Sequence, residues 1–200
     1  IKKVNGAQKY QFIYRDQLNP ITMLDENGVF KMSFGYGTKI NVPEIITDKN
    51  NVVYKVVSNH VGSVRLVINT ITGEVVQEMD YDTWGNVIKD TKPGFQPFGF
   101  AGGIYDRDTE FVKFGARDYD PVTGRWLSKD PIGFGGGDVN LYRYCGNDPV
   151  NCIDPTGLEN MDGQISGNAA DILSGLETVL GQVRNDFEAA ERLYEIDLIK

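Results

Sequence analysis

A turn signal recurs along the first 93 residues, at Gly28, Asn51 and Gly73, with a period of about 22 residues. Repetition at such a spacing is the mark of a repeat architecture, in which each unit buries its apolar side against its neighbours. The stretches between the turns read as strands. YQFIY (Tyr10–Tyr14) is one. ITMLD and VFKMSFGYG flank Glu26-Asn27-Gly28, and Asn-Gly between apolar runs is a strong hairpin signal. EIIT and VVYKVV flank Asp48–Asn51, and VRLVIN and EVVQEMDYD flank Thr70–Gly73. A lone hairpin is marginal in water, so stacking must supply the core.

Composition agrees with strands and turns. Gly numbers 23 and aromatics make up 11% of the 200 residues, which disfavours a helical bundle. No window of 18 apolar residues exists, so no membrane-spanning helix is expected. No signal peptide is visible and the chain starts at Ile1, so it reads as a fragment of something longer. The net charge is -8, and residues 159–200 hold nine acids against three bases. An acidic chain with no basic stripe argues against nucleic acid as a partner of this part. Cys145 and Cys152 are too few for a disulfide framework and lack zinc-site partners; their closeness permits a bridge across a loop, and two buried thiols is the preferred reading. The single histidine, His60, is expected to pack at a strand start; being alone it excludes a His-rich metal site or a two-His catalytic arrangement, and its place far upstream in a strand disfavours it as the base for a Ser or Cys nucleophile. Neither Gly102-Gly103 nor Gly135–Gly137 follows a strand and opens a helix, which disfavours a phosphate loop. No cofactor and no metal are expected.

From Phe114 to Leu158 the character changes. Four Asp-Pro pairs, at Asp120, Asp130, Asp148 and Asp154, are interleaved with Tyr119, Trp126, Phe134, Tyr142 and Tyr144. Pro breaks or ends a strand, so this segment should be loop-rich. Trp84, Trp126, Tyr142 and Tyr144 are expected to fill its core. Two of the pairs sit in matched frames, DPIG at Asp130 and DPTG at Asp154, each with Gly two residues after Pro, as a turn with positive φ favours. Matched turns can bring two carboxylates to facing positions. Two close carboxylates share one proton, so one activates water while the other donates to a carbonyl. Asp before Pro is also ordinary turn chemistry, and on the residues alone each pair reads first as structural.

GRWLSKDPIG followed by NLYRYCGNDPVNCIDPTGL resembles the RHS-repeat-associated core of bacterial polymorphic toxins and of the C component of insecticidal toxin complexes. The closing pattern PxxxxDPxGL is matched by Pro149–Leu158, and DYDTWGNVIKD (Asp80–Asp90) resembles the Tyr-Asp repeat of the RHS and YD-repeat families. The resemblance covers residues 10–158. It implies a mainly β fold: residues 1–93 as YD-repeat hairpins at the end of a shell, and residues 94–158 as a loop-rich core plug carrying a self-cleavage motif. It further implies a cut between Leu158 and Glu159, made by Asp130 and Asp154 as an aspartyl dyad, with Arg125 of GRW beside them. Gly135–Gly137 lengthens the gap between the two frames, which puts the geometry of that turn in question. The implied partners are the chain's own C-terminal toxin segment, an immunity protein and a secretion machinery, in a secreted or surface-delivered bacterial protein. The alternative is a shell of the same build that encloses or displays its tail without cutting it.

Residues 159–200 would be the variable region. ENMDGQISGN reads as a linker, and Ile172, Leu176, Val179, Leu180, Val183, Phe187, Ala190 and Tyr194 follow the spacing of an amphipathic helix. A membrane-active tail is disfavoured because such helices are usually basic.

Overall fold

Aspartate builds the repeating turn. Asp25 Oδ1 accepts the backbone N–H groups of Asn27 and Val29 at 2.8 and 2.9 Å. Asp48 does the same for Asn50 and Val52 at 2.8 and 3.0 Å, and Asp82 for Trp84 and Asn86 at 2.9 Å each. Each turn then closes through its backbone, as in Asp25 N–H to the Val29 carbonyl. The fourth residue is left-handed in all three, at Gly28, Asn51 and Gly85. Gly and Asn are the residues that enter that region at least cost. Gly85 has a second reason: a Cβ there would lie 2.3 Å from the Phe100 ring.

The computed structural model describes residues 2–4, 7–158 and 161–162; the tail helix expected over Ile172–Tyr194 lies outside them. The turns join β1 (Lys2–Val4), β2 (Ala7–Tyr14), β3 (Pro20–Asp25), β4 (Phe30–Tyr36), β5 (Pro43–Asp48), β6 (Val53–Ser58), β7 (Val64–Asn69), β8 (Val75–Tyr81) and β9 (Val87–Asp90). These form one antiparallel sheet in sequence order. Alternation along the strands gives it two unlike faces. Met32 and Phe34 of β4, Ile46 of β5, Tyr54 and Val56 of β6, and Met79 of β8 enter one core, closed by Phe98. Ile13, Phe30, Ile45 and Val75 are exposed.

After β9 the chain folds into a smaller sheet of β10 (Ile104–Asp106), β11 (Phe111–Phe114), β12 (Arg117–Asp120) and β13 (Arg125–Trp126). Its inner face carries Phe114, Tyr119 and Trp126 onto Phe100 and Tyr144. Trp126 meets Phe114, Tyr119 and Tyr144 edge-on, Phe114 stacks on Tyr144 and Phe100 on Tyr119, and the Tyr119 and Tyr144 centroids lie 4.5 Å apart. Of the aromatics expected in this core, Trp126 and Tyr144 are buried, Trp84 is half-buried and Tyr142 lies at the surface. A last pair, β14 (Cys152–Ile153) and β15 (Met161–Asp162), is antiparallel. The mainly β expectation therefore holds, and no helix among the described residues is long and apolar enough to cross a membrane.

Polar bonds tie the plug to the large sheet. Ser63 Oγ accepts the Ala101 N–H, and Asn41 donates to the Ala101 carbonyl, both at 2.9 Å and both buried. Asn86 bonds Asp82 at 2.8 Å and the Pro121 carbonyl at 3.0 Å. His60 departs from expectation: it is exposed, in the turn between β6 and β7, and its Nε2 donates to the Val150 carbonyl at 2.9 Å. The Asn59–Ser63 turn needs its fourth residue, Gly62, to be left-handed, so the strand starts only beyond it and His60 is left on the tip. Because Asp82 both caps its turn and aligns Asn86, Asp82→Ala should lower stability by about 1–2 kcal/mol. A urea titration of the variant beside the wild type checks this; coincident midpoints would contradict it.

Candidate active site

Arg117 opens β12, and the alternation that buries Tyr119 also turns Arg117 inward. Its side chain is 4% exposed and holds two carboxylates on one nitrogen: Nη2 lies 3.0 Å from Asp130 Oδ2 and 3.0 Å from Asp154 Oδ2. Nε donates to the Gly157 carbonyl and Nη1 to the Leu141 carbonyl. The guanidinium lies over the Trp126 ring, 4.2 Å from its centroid. The planar fork of arginine suits this many partners, where a lysine ammonium does not.

The Asp-Pro turns deliver the two carboxylates. Each uses one oxygen for its own turn and the other for Arg117. Asp130 Oδ1 accepts the Ile132 N–H at 2.9 Å, and the Asp130 N–H is held by the Leu141 carbonyl at 3.0 Å. Asp154 Oδ1 accepts the Thr156 hydroxyl and the Leu158 N–H, each at 3.1 Å. Asp154 is wholly buried, and the Asp130 side chain is 9% exposed. Segment 154–158 is pressed onto the turn before β12. Ala116 N–H bonds the Thr156 carbonyl at 2.9 Å, and a Cβ on Gly157 would meet the Phe114 carbonyl at 2.5 Å. Only a glycine allows that approach.

Asp130, Asp154 and Leu158 thus converge, while Arg125 does not. Its neighbour Trp126 occupies the inward position of β13, so Arg125 points out and is exposed. Arg117 stands where Arg125 was expected. The signal was present: with Tyr119 and Trp126 taken as core, alternation puts Arg117 inside and Arg125 outside. Asp120 and Asp148 only serve their turns, accepting from Val122 and Thr123 and from Asn151. Glu159 lies outside the described residues.

The electrostatics differ from an unassisted pair of carboxylates. Two buried like charges would force a shared proton, whereas a guanidinium between them relieves that repulsion. A second ion pair stands beside this one: Arg143 grips Asp138 with two bonds, at 2.5 and 2.7 Å, and these hold the Asp138 carboxyl below the usual carboxylate range. The buried thiols of Cys145 and Cys152 are unbridged. Burial, and then Cys152 beside it, push the Cys145 thiol well above its ordinary pKa, which makes it a poor nucleophile. Among the described residues no group of His, Cys, Asp and Glu could hold a metal ion.

Residues 1–150 match the family described as Teneurin YD-shell. Teneurin-1 of Gallus gallus is 28% identical, over 97% of this chain and 7% of that protein. The protein YlbH of Escherichia coli (strain K12) is 38% identical over 48% of this chain and 41% of its own length. The chain therefore spans only a part of the relatives it matches. Among solved structures, TcdB2-TccC3-Cdc42 superposes with a TM-score of 0.55 at 22% identity, over 79% of this chain and 9% of that one. The Photorhabdus luminescens Tc holotoxin pore does so with a TM-score of 0.52 at 20% identity, over 83% of this chain and 10% of that one. At those identities the likeness is one of fold. With residues 1–150 matched and the hairpin ribbon shared, the chain belongs to the Teneurin YD-shell family of RHS/YD-repeat proteins.

Proposed function

We propose that this chain is the closing end of a shell that hydrolyses its own backbone once, between Leu158 and Glu159, and so frees the segment that begins at Glu159. The observation that carries this is the convergence on Leu158. Its N–H is held by Asp154, and its carbonyl oxygen and Asp130 Oδ2 face the same side of Gly136. Asp154 and Arg117 position the bond. Asp130 takes a proton from a water as that water's oxygen attacks the Leu158 carbonyl carbon. The C–N bond to Glu159 then breaks, and the proton returns from Asp130 to the leaving amine. One water is consumed, and a Leu158 carboxylate and a Glu159 amine result. This scheme needs no proton shared between the carboxylates, in keeping with a guanidinium between them. In this reading residues 1–93 are shell repeats, 94–158 the cutting plug and 159–200 the start of the released toxin segment. The parent is a secreted bacterial toxin with an immunity partner.

A second reading is a shell of the same build that does not cut. Arg117 favours it, because a guanidinium saturating two carboxylates is also what a structural ion triad looks like. The intact mass of freshly purified protein, beside Asp130→Asn, separates the two. The first reading expects a wild-type break after Leu158 that is absent in the variant. A single intact mass for the wild-type full chain would establish the non-cutting shell, and equal cleavage of both would remove Asp130 from the mechanism.

A further inference from the structure

A small cavity of about 10 Å³ lies against the candidate site, lined in part by Arg117, Asp130, Gly136, Asp138, Arg143 and Leu158. That is room for one water molecule and no more. Its walls are polar, and a water needs two to four polar partners to be held. Gly136 decides whether the space exists. A Cβ there would lie 2.9 Å from Asp130 Oδ2 and 3.0 Å from the Leu158 carbonyl oxygen. Both oxygens therefore face the side on which any other residue would project its side chain. Gly136 is not in a left-handed conformation, so its backbone does not require glycine. What requires glycine is the space.

We propose that this cavity is the seat of the hydrolytic water, and that Gly136 is the residue that keeps it open. The inference rests on the self-cleavage reading and deepens it: the water would sit between its base and its target carbonyl in a pocket that admits nothing larger. The Asp138–Arg143 pair forms the far wall. By pinning the ends of the 138–143 loop it also fixes the Leu141 carbonyl, which receives both the Asp130 N–H and Arg117. Gly136, within the lengthened loop, is then part of the site, where the sequence had left that loop in question.

The experiment is a time course of cleavage in the full chain, followed by intact mass, for wild type, Gly136→Ala and Gly135→Ala. Gly135 is the matched control: it too is not left-handed, and a Cβ there would meet only Ile132, at 4.0 Å. Gly136→Ala should cleave about 100-fold more slowly, as expected for a reactant displaced by an ångström or so, and Gly135→Ala should match wild type. A Gly136→Ala variant as fast as wild type overturns the water site. A second readout needs no variant. Wild type cleaving in hydroxylamine should yield only the Leu158 acid, because the pocket excludes the larger nucleophile; a Leu158 hydroxamate overturns the proposal even if Gly136→Ala proves unstable. A wild-type full chain that never cleaves would instead sink the self-cleavage reading itself, which separates the two failures.

Discussion

Asp154→Ala should destabilise the folded chain by about 3–5 kcal/mol, the usual cost of removing one partner from a buried ion pair, and should slow cleavage by at least about 100-fold. Both effects follow from one side chain with three duties. Asp154 is fully buried and balances Arg117 through Oδ2. Through Oδ1 it holds the Thr156 hydroxyl and the Leu158 N–H, which fixes segment 154–158. Alanine leaves Arg117 with a single carboxylate and the Leu158 N–H without this acceptor. Asp154→Asn separates the duties. Its carbonyl oxygen can still accept from Leu158, but its amide would face Arg117 Nη2 donor to donor. It should therefore hold the turn better than alanine and still lose most of the ion-pair stability. Urea titration of both variants, with intact mass taken in parallel, checks this. A wild-type midpoint for Asp154→Ala would show that the triad contributes nothing to folding.

The repeat half of the fold was legible because its signals are local. Asp25, Asp48 and Asp82 each cap a turn using atoms within four residues, and Gly28 and Asn51 announce the left-handed position that closes it. Register follows from such turns and from alternation. The plug was only partly legible, since Asp-Pro fixes a local turn but says nothing about what that turn faces. Asp130 and Asp154 are bridged by a residue 13 positions before the first of them, and no local signal reports that distance. Arg125 was taken for the role on a motif neighbourhood, when the alternation set by Tyr119 and Trp126 already pointed to Arg117. His60 was misplaced for a related reason. Its neighbours look like a strand, but Gly62 forces a turn first. Gly136 could not be read at all from sequence, because its importance lies in a space shared with Asp130 and Leu158.

Arg117→Ala should be the most damaging single change, and its contrast with Arg125→Ala is the sharpest test of where the chemistry sits. Removing the guanidinium takes away the cation that both buried carboxylates contact, and it releases the Gly157 and Leu141 carbonyls and the Trp126 face. The loss should reach at least about 3–5 kcal/mol, the value for breaking one buried pair. Arg117→Lys is the more informative variant. It keeps the charge, so the carboxylates are still balanced, but a point-like ammonium cannot serve both of them, two carbonyls and an aromatic face together. It should fold, with cleavage slowed about 100-fold by misplacement of Leu158 and Asp130. Arg125→Ala, at an exposed position, should change stability by no more than about 0.5 kcal/mol and leave cleavage untouched. The reverse pattern, in which Arg117→Lys cleaves normally and Arg125→Ala does not, would return the role to the GRW arginine and dissolve the geometric assignment. Failure of both variants with unchanged stability would mean that the cutting state brings Arg125 inward, which hydrogen exchange across residues 117–126 would detect as protection gained only in the chain before it is cut.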